Sequence, residues 1–159
     1  MSRITCNVTR ETQSELILTD ETKNFENLEA WKISRELTNR IYTVTKEGEI
    51  ARDYGFVDQI RRASVSIMNN LAEGHERGSA KDFSKFLFIA RGSAGEVRSM
   101  LYIALDQSYI SQETFNELKG LATRCSQLCW GLIRYNLKKG DWKSKISILF
   151  LIALNSFNI

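Results

Sequence analysis

The sequence contains no proline, and only nine of its 159 residues are glycine. Because proline and glycine interrupt helices and supply most tight turns, their scarcity excludes a turn-rich β fold and favours long helices. One histidine and three cysteines leave few candidate metal ligands, and no motif for a nucleotide or a metal is present. The sequence therefore predicts an all-α protein without a cofactor.

Charge and hydrophobicity are ordinary for a globular protein. Lysine and arginine number 22 against 19 acidic residues, a formal net charge of +3, and 43% of the residues are hydrophobic. The apolar segment 146–154 is shorter than the roughly 20 residues that a membrane span needs. Residues 1–24 lack the apolar core of a secretion signal. We therefore expect a cytoplasmic protein whose cysteines are reduced.

Four segments carry hydrophobic residues at helical spacing. They cover 25–47, 53–73, a third segment from Ser79 whose apolar stripe extends to Leu105, and 111–139. Four long helices with short connections predict an antiparallel up-and-down four-helix bundle. The stripe of the first helix shows the three- and four-residue steps of an amphipathic helix: Ala30, Ile33, Leu37, Ile41 and Val44.

Local signals mark the helix ends. Ser79, followed three residues later by Asp82, resembles an N-terminal capping box for the third helix. Gly48 is expected to cap the first helix, and the segment 74–78, with a glycine at each end, to stop the second. Gly92-Ser-Ala-Gly95 presents small side chains in the third helix, and we interpret it as a point where two helices cross closely.

This organisation leaves both ends of the chain outside the bundle. Residues 1–24, with three basic and four acidic side chains, are expected to form a flexible polar arm. Residues 25–140 form the predicted bundle. Residues 141–159 make an apolar tail, to which the sequence assigns no role.

The first three predicted helices carry a combination of short motifs: Leu28 and Trp31 within 25–32, the segments 59–63 and 70–74, Ser66-Ile67, Arg77, Phe83, Phe86-Leu87, 90–93 and Glu96. In this combination, over about residues 25–139, the chain resembles one family, the four-helix-bundle proteins encoded within intervening sequences of bacterial 23S ribosomal RNA genes. Met68 departs from the family pattern, which has proline after Ser66-Ile67.

The resemblance implies an antiparallel bundle that assembles as a ring-like homopentamer. It is also similar in fold to the accessory protein of diversity-generating retroelements, a basic pentamer that binds nucleic acid and a reverse transcriptase. For the intervening-sequence branch, the resemblance names a fold and no activity. The residues interpreted as the structural signature of the bundle are Trp31, Asn70, Glu73, Gly74, Gly92 and Ser93.

Four basic residues are candidates for contact with nucleic acid. Arginine binds phosphate oxygens in a bidentate manner, and the first amides of the third helix add positive potential. The alternative is that the arginines pair with Glu73, Glu96 or a neighbouring subunit. The four candidates are Arg61, Arg62, Arg77 and Lys81.

Other polar residues have a structural and a functional interpretation. Asn70 and Glu73 share a helix face, and they either line a ligand site or bond across helices and to the amides near Gly74. Cys125 and Cys129 are four residues apart, which suits two metal ligands, yet no further cluster completes a site and a core position is favoured. His75 is interpreted as a solvated loop residue.

The function that fits these features is a non-enzymatic, oligomeric scaffold with structured RNA as its expected ligand. Residues 25–139 contain 17 basic and 14 acidic side chains, so five copies would concentrate about +15 in one ring. The alternative is an adaptor for a protein partner, such as a reverse transcriptase, without affinity for nucleic acid. A third hypothesis is an enzyme that uses Glu73, Arg62 and His75.

Overall fold

The computed structural model describes residues 24–139, so the predicted arm and tail lie outside the described residues. This part of the chain is all-α and contains no strand. It has four long helices, which we label α1 to α4, and two short 3-10 turns at Phe25–Asn27 and Ile50–Arg52. The helices are α1 (Glu29–Val44), α2 (Tyr54–Glu76), α3 (Ala80–Asp106) and α4 (Gln112–Lys139).

Helix α1 is shorter than predicted at both ends. The chain passes through a 3-10 turn, Leu28 is extended, and the α-helix begins only at Glu29. The helix ends at Val44, because the Thr45 hydroxyl donates to the Ile41 carbonyl at 2.7 Å and Thr45 leaves the helical conformation. Gly48, with φ of 80°, lies in the connection beyond the helix and does not cap it.

Helix α2 is longer than predicted. Asp53 accepts a hydrogen bond from the Phe56 amide at 3.0 Å and starts the helix, which then continues through Gly74 to Glu76. The segment 74–78 stops the helix as predicted, but at its second glycine: α2 ends at Glu76 and Gly78 has φ of 69°, whereas Gly74 is buried inside the helix where α2 packs on α3. The helix runs without interruption past Met68.

Helix α3 begins as predicted. Ser79 accepts a hydrogen bond from the Asp82 amide at 3.0 Å and donates to the Asp82 carboxylate at 2.8 Å. The predicted close crossing at Gly92 and Gly95 was wrong for the described residues. A Cβ atom at Gly92 would have no atom within 4 Å, and one at Gly95 would meet only the Arg98 side chain. Both glycines point away from the stripe that faces the core.

The close approach occurs instead at Gly74. A Cβ atom there would lie 2.6 Å from Phe86 Cβ and 3.1 Å from Phe83 Cδ2. Glycine therefore lets α2 and the first turns of α3 pack more closely than any side chain would permit.

The helices pack in a four-membered cycle, in which α1 contacts α2 and α4, and α3 contacts the same two. Residue numbers rise along α2 while those of its partners on α3 fall: Gln59 bonds to Glu96, Ser66 to Ser93, and Gly74 packs on Phe86. Among residues 24–139, no helix is long and apolar enough to cross a membrane. The largest fully buried apolar side chains include Leu37, Ile41, Ile60, Ile67, Leu71, Leu87, Leu101, Leu118 and Ile133.

Candidate functional site

A groove, which we call the polar groove, lies along the outer side of α2 and contains Asn70 and two of the four basic candidates, Arg61 and Arg62. Its volume is about 630 Å³. The polar residues of its lining lie away from the apolar stripe of α2 and face outward together, whereas Val57 belongs to that stripe. The groove is lined by Tyr42 from α1 and by Tyr54, Val57, Asp58, Arg61, Arg62, Val65, Ser66, Asn69 and Asn70 from α2.

Arg61 is occupied by a contact within the bundle. Its Nε donates to Thr45 Oγ1 at 2.8 Å, and a terminal nitrogen donates to the Thr45 carbonyl at 3.1 Å. The guanidinium also lies 4.8 Å from the centre of the Tyr42 ring. Arg61 therefore satisfies the carboxyl-terminal end of α1 and joins it to α2.

Arg62 points into solvent. Its guanidinium lies 3.6 Å from the Asp58 carboxylate one turn earlier, and 75% of the Arg62 side chain is exposed. An exposed pair of this kind contributes little stability, so Arg62 stays accessible to a ligand, although part of its charge is neutralised.

Arg77 and Lys81 lie at the other end of α2. Fifteen residues separate Arg62 from Arg77, which is a distance of roughly 20 Å along a helix. Arg77 forms an ion pair with Glu73 and lies 4.7 Å from the centre of the Phe86 ring. The structure thus brings Arg61 and Arg62 together but separates them from Arg77 and Lys81.

The hydrogen bond from the polar side of α2 to α3 is made by Ser66, which is not one of the predicted site residues. Asn70 donates to the Ser66 carbonyl at 2.7 Å on its own helix, and Ser66 Oγ lies 2.9 Å from Ser93 Oγ across the interface. Glu73 bonds to Arg77 on the same helix. The bonds predicted from Asn70 and Glu73 across helices and to the amides near Gly74 were therefore wrong, since Ser66 makes the crossing.

The three residues of the enzyme hypothesis do not form one constellation. His75 lies within α2, where its side chain is 17% exposed and packs 6.1 Å from the Phe83 ring centre. Its interpretation as a solvated loop residue was wrong, because the helix continues past Gly74. Glu73 pairs with Arg77, and Arg62 with Asp58.

The two cysteines of α4 are core residues, as the sequence favoured. Cys125 and Cys129 are fully buried. Burial raises the pKa of Cys125 to about 12 and that of Cys129 to about 11, so both remain thiols at neutral pH. Across residues 24–139, no group of three or more histidine, cysteine or acidic side chains is arranged to hold a metal ion.

Sequence reasoning missed a basic surface on the opposite side of the bundle, which we call the basic face of α4. It consists of Arg124, Arg134 and Lys138, with Arg91 from α3 beside them. The Arg91 guanidinium lies 4.7 Å from the centre of the Trp130 ring, which places α3 against this part of α4. The signal was present in the sequence, because no acidic residue follows Glu117 in α4.

The fold and the surfaces of the described residues identify the structural class of this protein. The chain is a four-helix, all-helical protein with a cysteine-containing core, a polar groove and a basic face. Residues 26–131 match the sequence model of the 23S rRNA-intervening sequence protein family, and the chain belongs to that family.

A solved structure has the same fold. It is a protein of unknown function from the S23 ribosomal protein family of Bacteroides thetaiotaomicron, with 24% sequence identity and a TM-score of 0.61. The alignment covers 66% of this chain and 95% of that chain. At this identity, the likeness concerns the fold alone. No protein with a curated description matches the chain.

Proposed function

We propose that this protein is a non-enzymatic cytoplasmic scaffold that binds structured RNA through the basic face of α4. In this proposal the chain forms an antiparallel up-and-down bundle and assembles as a homopentamer. The falling order of α3 partners along α2 supports the antiparallel arrangement.

The observation that carries the proposal is the segregation of charge on α4. Glu117 pairs with Arg40 of α1 at 2.5 Å, and beyond it α4 has only basic charged residues. Arg124 and Arg134 form no ion pair with any residue between 24 and 139. From Arg124 to Lys138 the face extends about 20 Å, which is enough to contact several phosphates of a duplex backbone.

The paired arginines of α2 support the same choice of surface. Arg61 binds Thr45, Arg62 lies beside Asp58, and Arg77 binds Glu73. A polyanion would have to compete with these intramolecular partners, whereas at Arg124 and Arg134 it would meet cations without an ion-pair partner among residues 24–139. Because contacts with phosphate groups do not depend on the identity of the bases, we expect the protein to recognise the shape of an RNA more than its sequence.

Filter binding with an RNA hairpin across a salt series from 50 to 200 mM tests the proposal. We expect the Arg124→Glu/Arg134→Glu double variant to lose about tenfold or more in affinity and to show a shallower salt dependence. The matched control is Arg52→Glu/Arg62→Glu, which changes net charge equally at exposed positions in the turn before α2 and in the groove, and it should bind within about twofold of wild type.

Two results would contradict the proposal. If the wild-type protein does not bind RNA at 50 mM salt, the RNA function is wrong, and the adaptor function becomes the better candidate. If the groove-side control weakens binding as much as the α4 variant, the RNA surface is the polar groove or the net charge alone.

A further inference from the structure

The space above Gly92 forms a second cleft, located between α3 and α4. Its volume is about 340 Å³. The cleft is formed mainly by α3 and shares Arg91 with the edge of the basic face of α4, whereas its other lining residues belong neither to that face nor to the polar groove. Its lining residues are Phe88, Arg91, Gly92 and Arg98 from α3 and Ser126 from α4.

We propose that this cleft binds a phosphate group. The inference deepens the proposed function and rests on it in one respect, namely that the phosphate belongs to an RNA backbone. A free phosphate or a small phosphate ester has the same chemistry, and the two sources are separated by the experiment below.

Arg98 is the first observation. Its Nε is buried and has no hydrogen-bond partner within residues 24–139, and its guanidinium forms no ion pair there. A terminal nitrogen lies 3.9 Å from the position that a Cβ atom on Gly95 would occupy, so the guanidinium lies over that glycine. An anion bound at this guanidinium would offset the cost of a buried donor that the described residues leave unpaired.

Arg91 is the second cationic group of the cleft. Its guanidinium lies 4.7 Å from the Trp130 ring centre, which holds it at the α3–α4 boundary. It forms no ion pair with the described carboxylates, and the Glu96 carboxylate of α3 bonds to Gln59 on the side of α2. Two arginines without a carboxylate between them leave a site of positive potential, to which Ser126 adds a hydroxyl donor.

Gly92 is the third observation. A glycine within a helix lowers helix stability, and this cost is usually offset by close packing or by a positive φ. Gly92 has neither, since it lies inside α3 and a Cβ atom there would have no neighbour within 4 Å. The missing side chain instead leaves room beside Arg91 for the atoms of a ligand.

The test combines a filling variant with a matched control. Gly92→Leu should occupy the cleft and keep both arginines, whereas Gly55→Leu adds the same side chain at an exposed glycine in the first turn of α2, outside both the cleft and the basic face of α4. Arg98→Met removes the charge and keeps most of the side-chain length. Thermal unfolding followed by circular dichroism checks that each variant is folded.

The first arm titrates wild-type protein with inorganic phosphate and follows the amide resonances of Gly92, Gly95 and Ser126. We expect these amides to shift, and to shift much less in Gly92→Leu. The second arm measures affinity for the RNA hairpin, where Gly92→Leu and Arg98→Met should each lose about fivefold or more and Gly55→Leu should match wild type.

The outcomes separate this inference from the proposed function. Suppose that Gly92→Leu binds RNA as well as wild type does and that phosphate does not shift the amides of the wild-type protein. The cleft inference is then wrong and the RNA function stands. If phosphate shifts these amides but RNA does not bind, the cleft stands with a free phosphate as its source. If Gly92→Leu changes only the mass of the protein in solution, the space belongs to a contact between copies, which overturns the inference.

Discussion

At the scale of single residues, two glycines show opposite uses of the same residue type. Gly74 is buried at the α2–α3 contact, where Phe86 occupies the space that a side chain would need. Gly120 lies exposed on α4 with no atom within 4 Å of a Cβ position. The first glycine permits packing, whereas the second only lowers the helix propensity of its segment.

We therefore expect Gly74→Ala to lower the free energy of unfolding by about 1–3 kcal/mol, because Phe86 and its helix must shift. Gly120→Ala should raise it by up to about 1 kcal/mol through helix propensity alone. Urea denaturation of both variants measures the difference. A Gly74→Ala protein as stable as wild type would show that α3 moves freely relative to α2.

Adjacent arginines make a second comparison at this scale. Removing Arg61 leaves the Thr45 carbonyl without its donor and uncovers Tyr42, so Arg61→Ala should lower the free energy of unfolding by about 1–2 kcal/mol. Arg62→Ala removes only an exposed pair with Asp58 and should change it by less than about 0.5 kcal/mol. Equal effects of the two changes in urea denaturation would contradict a structural role for Arg61.

At the scale of elements, the starts of α2 and α3 each depend on a hydrogen bond from a backbone amide to a capping side chain. Ser79 starts α3 by accepting from the Asp82 amide, and it also donates to the Asp82 carboxylate. A hydrogen bond from Lys85 is the main cause that lowers the pKa of Asp82, and the Ser79 bond adds to it. The ionised carboxylate thus stabilises the first turn of α3.

We expect Ser79→Ala to lower the free energy of unfolding by about 1 kcal/mol at pH 7. Because folding lowers the pKa of Asp82, the ionised carboxylate contributes to the free energy of unfolding at pH values above the pKa of the unfolded chain. That contribution is lost as pH falls through the pKa of the folded protein. The difference in the free energy of unfolding between wild type and Ser79→Ala should therefore become smaller towards pH 3. The control is Ser99→Ala on the exposed side of α3, which should be close to neutral at both pH values.

At the scale of the whole molecule, the described chain leaves large apolar side chains in contact with solvent. Ile89 and Ile103 are 51% and 49% exposed. Together with Glu96 they follow a seven-residue spacing, so they lie along one side of α3. We expect this side of α3 to contact another copy in the proposed pentamer, because exposed apolar residues in such an arrangement are typical of protein–protein contacts.

The proposed pentamer predicts a mass in solution of about 92 kDa, five times the 18.3 kDa of one chain. Light scattering after size exclusion measures it directly. Ile103→Glu should shift the mass towards the single chain, because it would place a charge in the subunit contact. Asn116→Glu on the exposed surface of α4 should leave the mass unchanged. A wild-type mass of one chain would contradict the assembly.

Much of the fold followed from residue spacing, whereas much of the candidate site did not. Periodicity predicted four helices and the core cysteines, and Ser79 correctly marked the start of α3. The positions of glycine residues led to a wrong end for α2 and a wrong site for the close helix crossing. A glycine in a helix looks the same in the sequence whether or not a neighbouring helix contacts it. Gly74 and Gly92 differ only in what packs against them.

For the site residues, too, the sequence predicted the side of the helix on which they lie but not the residues that they contact. The spacing of polar residues placed Arg61, Arg62 and Asn70 away from the apolar stripe of α2. Their partners are Thr45, which lies just after α1, and Asp58 and Ser66, which lie one turn away on α2. The spacing of residues in the sequence does not distinguish such partners from other candidates. The basic face of α4 was legible in the sequence as a helix without acidic residues after Glu117, but its extension by Arg91 required α3 to lie alongside.

Helical content, the buried stripes and the sign of charge on each helix are therefore properties of the sequence, because they depend on local propensity and periodicity. Which glycine serves as a contact, which arginine is neutralised and which remains available were decided by the tertiary structure. Those properties depend on the distance to residues far along the chain, and only packing sets that distance. Arg61 and Arg98 illustrate the difference, since one is occupied by Thr45 and the other has no described partner.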